Sequence, residues 1–496
     1  MSRTMSKMNI AIIGRGTVGA CMLVALAEHV NDYPKDSILT LIDEPQNEWR
    51  GRAYQDDTQA VLANGPLTGM SLKHHDAEHG YRWAKATGII ESEELPGPIY
   101  LSRPKYGEYI DFAAREAIDV LRMHGWQVKF INEFVSGIEI FDDMPKVYIG
   151  DESIDASHVI LCAGGRTESD IFGLKHSSWF IENPYPLKDQ LAGVPTSSTV
   201  GVIGTGMTAT DIFLALKAQD HTGRIILASR SGILPAVRSS QAPSAATPVA
   251  EVEKVASALN SHKPMRALRE YLHDLAGSEF VDSLSNIDRL FSSSEPGPRL
   301  LHELEGGLSS DPVILALRKM VVQNGQDVWV RLRADRKVAI LRSLHTALWS
   351  FASPIPEQSG RSLSSGLREG QLEVVSQLES AKLTPGGFSL NHKGGQLEVD
   401  VLVNAVTSPQ RDMPLELRGL VANLVETGVA QLSPAGGLEV DPRDSRVLSS
   451  SGFPQERLYA LGELTRGTFY LTSAISAFTR RAEDIARSLA YNEPSL

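Results

Sequence analysis

Short apolar runs recur along this chain, and two of them lead through a brief polar turn into helical spacing. Asn9–Ile13 is apolar at every position after the first, as a strand buried on both faces requires. Val18 to Val30 then places Cys21, Leu23, Val24, Leu26 and Ala27 on an apolar helical surface. A second apolar run, Ile38–Ile42, ends in Asp43. The same order of signals returns at Thr199–Ile203, Ala209–Lys217 and Ile225–Ala228, the last ending in Ser229-Arg230-Ser231. Between these units, Val128–Ile131, Val135–Ile140 and Val147–Ile149 read as short strands of a meander that runs into the apolar strand Val159–Leu161. Further on, Val252–Leu275, Asp311–Val322 and Arg336–Trp349 have helical periodicity, while the stretches SSQAPSAATP and SSSEPGPR read as loops. Two late strands are expected at Val399–Asn404 and up to Leu461, with a final helix from about Thr472.

The alternation of strand and helix predicts an α/β chain, and 496 residues with 42% hydrophobic content leave room for two to four globular domains. The net charge of −12 is spread along the sequence without a long Lys/Arg block, so nucleic acid is not an expected partner. Cys21 and Cys162 are the only cysteines, and both sit in apolar stretches. They imply no disulfide framework, redox pair or metal set, and a reducing cytoplasm is expected. Arg3 and Lys7 ahead of the apolar run from Met8 to His29 have the outline of a secretory leader. Gly14, Arg15, Gly16 and Gly19 interrupt that run, so no leader is expected, and no stretch reaches 18 uninterrupted apolar residues for a membrane span. His74, His75 and His79 form a His-His-x-x-x-His cluster without the glutamate of a His-Glu-x-x-His zinc site, and are read as a solvated loop or helix start.

The chemistry lies in the two turns. Gly14-Arg15-Gly16-Thr17-Val18-Gly19 and Gly204-Thr205-Gly206-Met207-Thr208-Ala209 each follow a strand and open a helix, with Ala209 standing where a third glycine is usual. Glycines there permit a tight turn and let backbone approach a pyrophosphate, whose charge rests on the helix N-terminus. One such turn binds one dinucleotide, so two point to a flavin exchanging electrons with a nicotinamide. Asp43, closing the second strand of the first unit, is placed for the ribose hydroxyls of an adenosine. Arg230 holds the equivalent place in the second unit, where an arginine and two hydroxyls favour the 2′-phosphate of NADPH over NADH.

Several further segments carry a resemblance. Gly51-Arg52-Ala53-Tyr54, Leu62-Ala63-Asn64-Gly65 with Met70-Ser71-Leu72, Tyr81-Arg82-Trp83 and Arg103-Pro104-Lys105-Tyr106-Gly107-Glu108-Tyr109 follow one another as in the bacterial FAD/NAD(P)-binding oxidoreductases. That family is related to the class B flavin monooxygenases and the amino-acid N-hydroxylases. The resemblance is weakest between about residues 240 and 395. It implies that Arg52, Asn64 and Met70 lie along the flavin, with Asn64 near its ring, although Asn64-Gly65-Pro66 is also a good turn sequence. Arg103 would counter a pyrophosphate or a substrate carboxylate, or else form an ordinary ion pair. Cys162-Ala163-Gly164 resembles the small-residue turn of a flavin domain, and Ala405-Val406-Thr407 a second one. Gly462-Glu463, before a helix, resembles the unit that meets the ribityl and phosphate part of FAD. Phe172 to Trp179 resembles a shortened class B fingerprint, which gives His176 a linker or nicotinamide role. His345 stands where relatives carry a His/Arg-rich segment.

The expected architecture is therefore two Rossmann-like dinucleotide-binding domains, for FAD and NADPH, with a mainly helical insertion. The FAD domain would be discontinuous, residues 1–195 and 396–496. Residues 196–395 would form the NADPH domain, with the insertion at about 239–375. The resemblance implies a monooxygenase that passes one atom of molecular oxygen to a small molecule through a flavin C4a-hydroperoxide, an amino-acid-like nitrogen being the first substrate expectation. A flavin dehydrogenase or reductase serving another acceptor, and a non-catalytic FAD-binding sensor, are the alternatives.

Overall fold

The computed structural model describes residues 7–44, 48–91, 98–164, 170–238, 250–276, 296–305, 318, 320–406, 415–470 and 472–491. The first unit opens with β1 (Asn9–Ile13), the helix Thr17–Glu28 and β2 (Ile38–Ile42). The long helix Arg103–Met123 leads to β3 (Gln127–Ile131), and an antiparallel meander of β4 (Val135–Phe141), β5 (Met144–Ile149) and β6 (Glu152–Asp155) leads to β7 (His158–Leu161). β7 returns parallel to β1 in the register Ile10↔His158 to Ile13↔Leu161, while β2 lies on the other side of β1 with Ile13 opposite Ile42.

The second unit repeats this plan. It has β8 (Phe180–Ile181), β9 (Val200–Ile203), the helix Met207–Ala218, β10 (Ile225–Ala228) and β11 (Leu372–Val375). A meander of β12 (Leu378–Thr384), β13 (Gly387–His392) and β14 (Gly395–Val399) then precedes the return strand β15 (Val401–Asn404). Its sheet is parallel throughout, in the order β11-β10-β9-β15-β8. The chain ends with β16 (Arg446–Leu448), β17 (Pro454–Ala460) and the helix Ile475–Tyr491. β17 pairs with β7 and completes the first sheet in the order β16-β17-β7-β1-β2-β3, with β16 its antiparallel edge.

Strand burial explains why each sheet is covered on both faces. Residues 10–13 of β1 and all of β7, β9, β10 and β15 are buried, the pattern of parallel strands with helices or meanders above and below. Over one face of the first sheet Met22, Leu23 and Leu26 pack with Tyr109, Ala113 and Ile485. On the other face Ile138 and Val147 of the meander meet Leu420 and Leu424 of the helix Leu415–Glu426.

The structure alters several local expectations. Gln127–Ile131, read as part of the meander, pairs parallel with β2, and the meander gains β6 instead. The run Val399–Asn404 divides at Asp400, whose carboxylate accepts the Thr199 amide N–H at 2.7 Å. That bond seats β15 beside β9, so a strand assigned by sequence to the returning first domain lies in the second sheet, as does β8. Val252–Leu275 becomes two helices, Val252–Asn260 and Pro264–Ala276, because proline at a helix start is favoured and a proline inside one is not. Arg336–Trp349 likewise divides at Leu344 into Ala334–Ser343 and His345–Ala352. Pro296 opens the helix Pro296–Leu304 where a loop was expected. The stretch SSQAPSAATP and most of Asp311–Val322 lie outside the described residues.

Candidate cofactor and active site

Gly14 has φ +105°, and a Cβ there would stand 2.7 Å from the backbone of Cys162 and Ala163. Only glycine lets the first turn press against the turn that follows β7. Gly16 caps the helix Thr17–Glu28 without a side-chain hydrogen bond, which leaves amide donors of the first helical turn facing outward. Asp43 is held beside them. Its Oδ2 accepts the Arg15 amide N–H at 2.7 Å and its Oδ1 that of Glu44 at 2.9 Å. The Arg15 side chain donates to the Asp43 carbonyl and to Asn132 Oδ1.

The C-terminal segment closes onto the same place. Gly462, with φ +84°, packs against Val18 of the first helix, and Gly164 packs against Glu463. Glu463 accepts from the Thr472 hydroxyl at 3.2 Å. Gly14, Gly16, Gly19, Asp43, Gly164, Gly462 and Glu463 are thus gathered around one helix N-terminus, although 449 residues of sequence separate the first from the last.

The second turn repeats the geometry. Gly204 has φ +128° and lies against Ala405, the turn after β15. Gly206 caps the helix Met207–Ala218, again without a side-chain bond, and Ala209 is fully buried against the sheet. At the end of β10, Ser229 Oγ meets Thr205 Oγ1 at 2.9 Å and accepts the Gly232 amide N–H at 2.9 Å. That hydroxyl holds the turn together, and Arg230 beside it is exposed.

A cavity of about 650 Å³ lies where the units meet. Asn64, Gly65 and Met70 face it from the first unit, and Met207, first residue of the second helix, from the other. Trp349 and the Ser473–Ala477 entry to the last helix close it. The Asn64 amide nitrogen reaches Met207 Sδ, so one side chain spans the seam. Arg103, Arg238 and Arg480 line the cavity, and among the described lining residues there is no carboxylate. Arg103 is neutralised across the seam by Asp211 at 2.8 Å, which also accepts from the Tyr185 hydroxyl at 2.6 Å. Burial raises the Asp211 carboxyl, and Arg103 partly offsets this. Burial lowers the Arg238 guanidinium, whose Nε donates to the Asn64 carbonyl at 3.3 Å. The cavity therefore favours an anionic occupant.

Two expected residues lie elsewhere. Arg52 donates to Asn183 Oδ1 at 3.0 Å and stacks over the Tyr185 ring, outside the cavity lining, while its neighbours Ala53 and Tyr54 are in it. His176 is exposed, with φ +72°, in a turn tightened by Asp170 accepting the amide N–H groups of Leu174 and Lys175. It does not line the cavity. His74, not singled out by sequence within its cluster, does line it, with burial lowering its pKa. His75 instead meets Glu483, and His79 bridges Tyr109 and Glu116. Among the described residues, no group of three or more His, Cys, Asp or Glu side chains is arranged to hold a metal. Cys21 and Cys162 are free and buried, and burial pushes the Cys21 thiol up to about 12 and Cys162 higher still.

Comparison with known sequence families and structures fits this geometry. The family described as FAD-NAD(P)-binding matches residues 11–166. No curated protein matches the chain. Among solved structures, a Kutzneria ornithine N-hydroxylase with reduced FAD, NADP+ and L-ornithine is 13% identical at a TM-score of 0.59, covering 98% of this chain and 99% of its own. The FAD-bound cadaverine monooxygenase of Erwinia amylovora is 12% identical at 0.60, with 98% and 95% covered. L-lysine 6-monooxygenase from Pseudomonas syringae is 16% identical at 0.56, with 98% and 100% covered. The chain shares their fold from end to end. No described helix is long and apolar enough to cross a membrane.

Proposed function

We propose that this chain is an NADPH-dependent flavin monooxygenase that hydroxylates a nitrogen of a small metabolite. The observation that carries the reading is the pair of glycine turns without side-chain caps, each pressed against the turn after its own return strand, with an arginine-lined cavity between the two units. In this reading FAD lies on the first unit. The Gly14–Gly19 turn holds its pyrophosphate, Asp43 its adenosine ribose, and Gly164, Gly462 and Glu463 its ribityl side, with Met70 beside the ring. NADPH lies on the second unit, its pyrophosphate on Gly204–Ala209 and its 2′-phosphate on Arg230.

Bound FAD supplies the two-electron chemistry between NADPH and oxygen. The balanced reaction is R–NH2 + O2 + NADPH + H+ giving R–NHOH + NADP+ + H2O. The protein's own part is to position and to exclude water. Asn64, spanning the seam, would help position both cofactors, and the N-terminus of the helix Ile475–Tyr491 would supply positive potential to a bound flavin. Trp349 shields the cavity from solvent. Two free, buried thiols fit a reducing cytoplasm.

The test is to mix FAD-loaded protein anaerobically with NADPH or NADH, then admit oxygen and follow the flavin spectrum. Fast reduction by NADPH, then a transient oxygenated-flavin absorbance or amine-dependent hydroxylamine formation, is expected. Reduction followed by peroxide release with every amine tried would transfer the reading to a flavin reductase. Failure of both nicotinamides to reduce the flavin would leave a non-catalytic FAD-binding protein.

A further inference from the structure

A second cavity, of about 260 Å³, lies inside the helical insertion. Leu259 and Leu272, from the paired helices Val252–Asn260 and Pro264–Ala276, face Val328, Ile340 and Leu348 across it. These side chains belong to one apolar cluster or pack against it, so the space is part of the core around which the insertion folds. Met265, 39% exposed, stands with the exposed Arg269 at its rim.

This cavity is separate from the cofactor site, and the two have no lining residue in common. Trp329 and Tyr470 wall the apolar one, their ring centroids 4.7 Å apart, and Trp349, 6.1 Å from Tyr470, faces the arginine-lined one. The polar atoms of this aromatic wall are already bonded. Tyr470 hydroxyl meets His345 Nδ1 at 3.2 Å, and Trp329 Nε1 donates to the Gly467 carbonyl at 3.1 Å. Among the described lining residues there is no carboxylate, side-chain amide or aliphatic hydroxyl, and the one charge is Arg269 at the rim. Water there would lack the two to four partners it needs, and an ion would lose hydration without a counter-charge. Leaving the space empty is also unfavourable, because the side chains around it forfeit close contacts. A neutral hydrocarbon is the occupant that meets none of these costs.

We propose that the cavity is a ligand site for a neutral apolar molecule, of the alkylbenzene or alicyclic class, which completes the core of the insertion and is not the substrate. An apolar cavity of about 150 Å³ holds benzene, which scales to roughly ten carbons here. The bonded aromatic wall keeps that molecule away from the flavin. The proposal goes beyond the monooxygenase reading and does not depend on it.

Calorimetry on the FAD-loaded protein with alkylbenzenes from benzene to hexylbenzene tests it, with 3-phenylpropanoate and 3-phenylpropylamine as charged counterparts of propylbenzene. The dissociation constant is expected to fall about fourfold per added methylene as far as butylbenzene and no further. Both ions should bind at least tenfold more weakly than propylbenzene. Leu268→Trp narrows the cavity and Ile340→Ala widens it, so the best-bound chain should become shorter in the first and longer in the second. Loss of folded protein cannot produce that change of ranking. With butylbenzene at about a hundred times its dissociation constant, amide hydrogen exchange in the helices Val252–Asn260 and Ala334–Ser343 should slow about 100-fold, with no change in Met207–Ala218. After incubation with NADPH and oxygen, butylbenzene should be recovered unoxidised. No binding, affinity indifferent to chain length or to both variants, tighter binding of either ion, protection outside the insertion, or oxidation of butylbenzene would each overturn the proposal. Flavin reduction by NADPH without any hydrocarbon is read separately, and its failure would count against the monooxygenase reading alone.

Discussion

At the scale of single residues, the seam depends on Asn64. Its amide reaches Met207 while its carbonyl accepts from Arg238, so three separate segments meet on one residue. Asn64→Ala is expected to slow flavin reduction by NADPH about 10- to 100-fold with a smaller change in KM, measured by stopped-flow absorbance. Arg230, exposed at the end of β10, is the residue we propose for cofactor choice. Arg230→Ala should raise the KM for NADPH about 10- to 100-fold and leave that for NADH nearly unchanged in steady-state assays, the loss of a charge-assisted phosphate contact. His158 gives a pH signature away from both sites. Burial, helped by Arg457, lowers its pKa from 6.5 to about 4. Between those values the unfolded chain takes up a proton that the folded chain refuses, so stability falls as pH drops through this window and is unaffected above it. Urea midpoints should show about 2 kcal/mol lost between pH 7 and 5 through this group, and His158→Gln should remove that part. Sequence singled out Asp43 and Asn64 because strand ends and turn formers leave local marks, and the structure puts Asp43 at the first glycine turn and Asn64 in the cavity lining. It gave no sign that Arg52 and His176 lie outside that lining and His74 within it, since a side chain's destination across a seam depends on contacts far away in the chain.

At the scale of elements, the two glycine turns were legible because hard-sphere limits demand glycine there. Positive φ and a backbone wall at Gly14 exclude other residues, and the apolar runs on either side have the length of buried strands. Strand β15 was harder to assign, because its sheet is set by pairing with β9 and β8 and by the Thr199–Asp400 contacts at its start, none of which the local pattern advertises. The helix breaks at Pro264 and Leu344 were masked by apolar periodicity that continues across them. Gly204→Val tests the turn itself. A Cβ at φ +128°, 3.2 Å from Ala405, is expected to abolish NADPH binding by calorimetry while the protein still purifies with its yellow cofactor. Gly14→Val is expected to do the reverse and lose the flavin.

At the scale of the whole molecule, each sheet borrows a strand from outside its own run of sequence. β8 joins the second unit from ahead of its glycine turn, and β17 joins the first from near the C-terminus. Sequence placed the strand before Gly462 with the first domain through its resemblance, and the two-residue β8 left no pattern to find. Ending the chain at residue 445 would remove β16, β17 and the last helix. Such a protein is expected to lose FAD and expose the first unit to limited proteolysis, while a core within residues 180–404 survives. The borrowed strand also sets a schedule during synthesis. A ribosome adding roughly 5–20 residues per second delivers β1 to β7 well before β17. All strands of the second unit emerge in that interval, so it can close first. Until β17 arrives, β7 has β1 on one side and an open, largely apolar edge on the other, the kind of surface that recruits a chaperone or a neighbouring nascent chain. The first glycine turn accordingly gains its Gly462 neighbour only once β17 has been made, long after the turn itself.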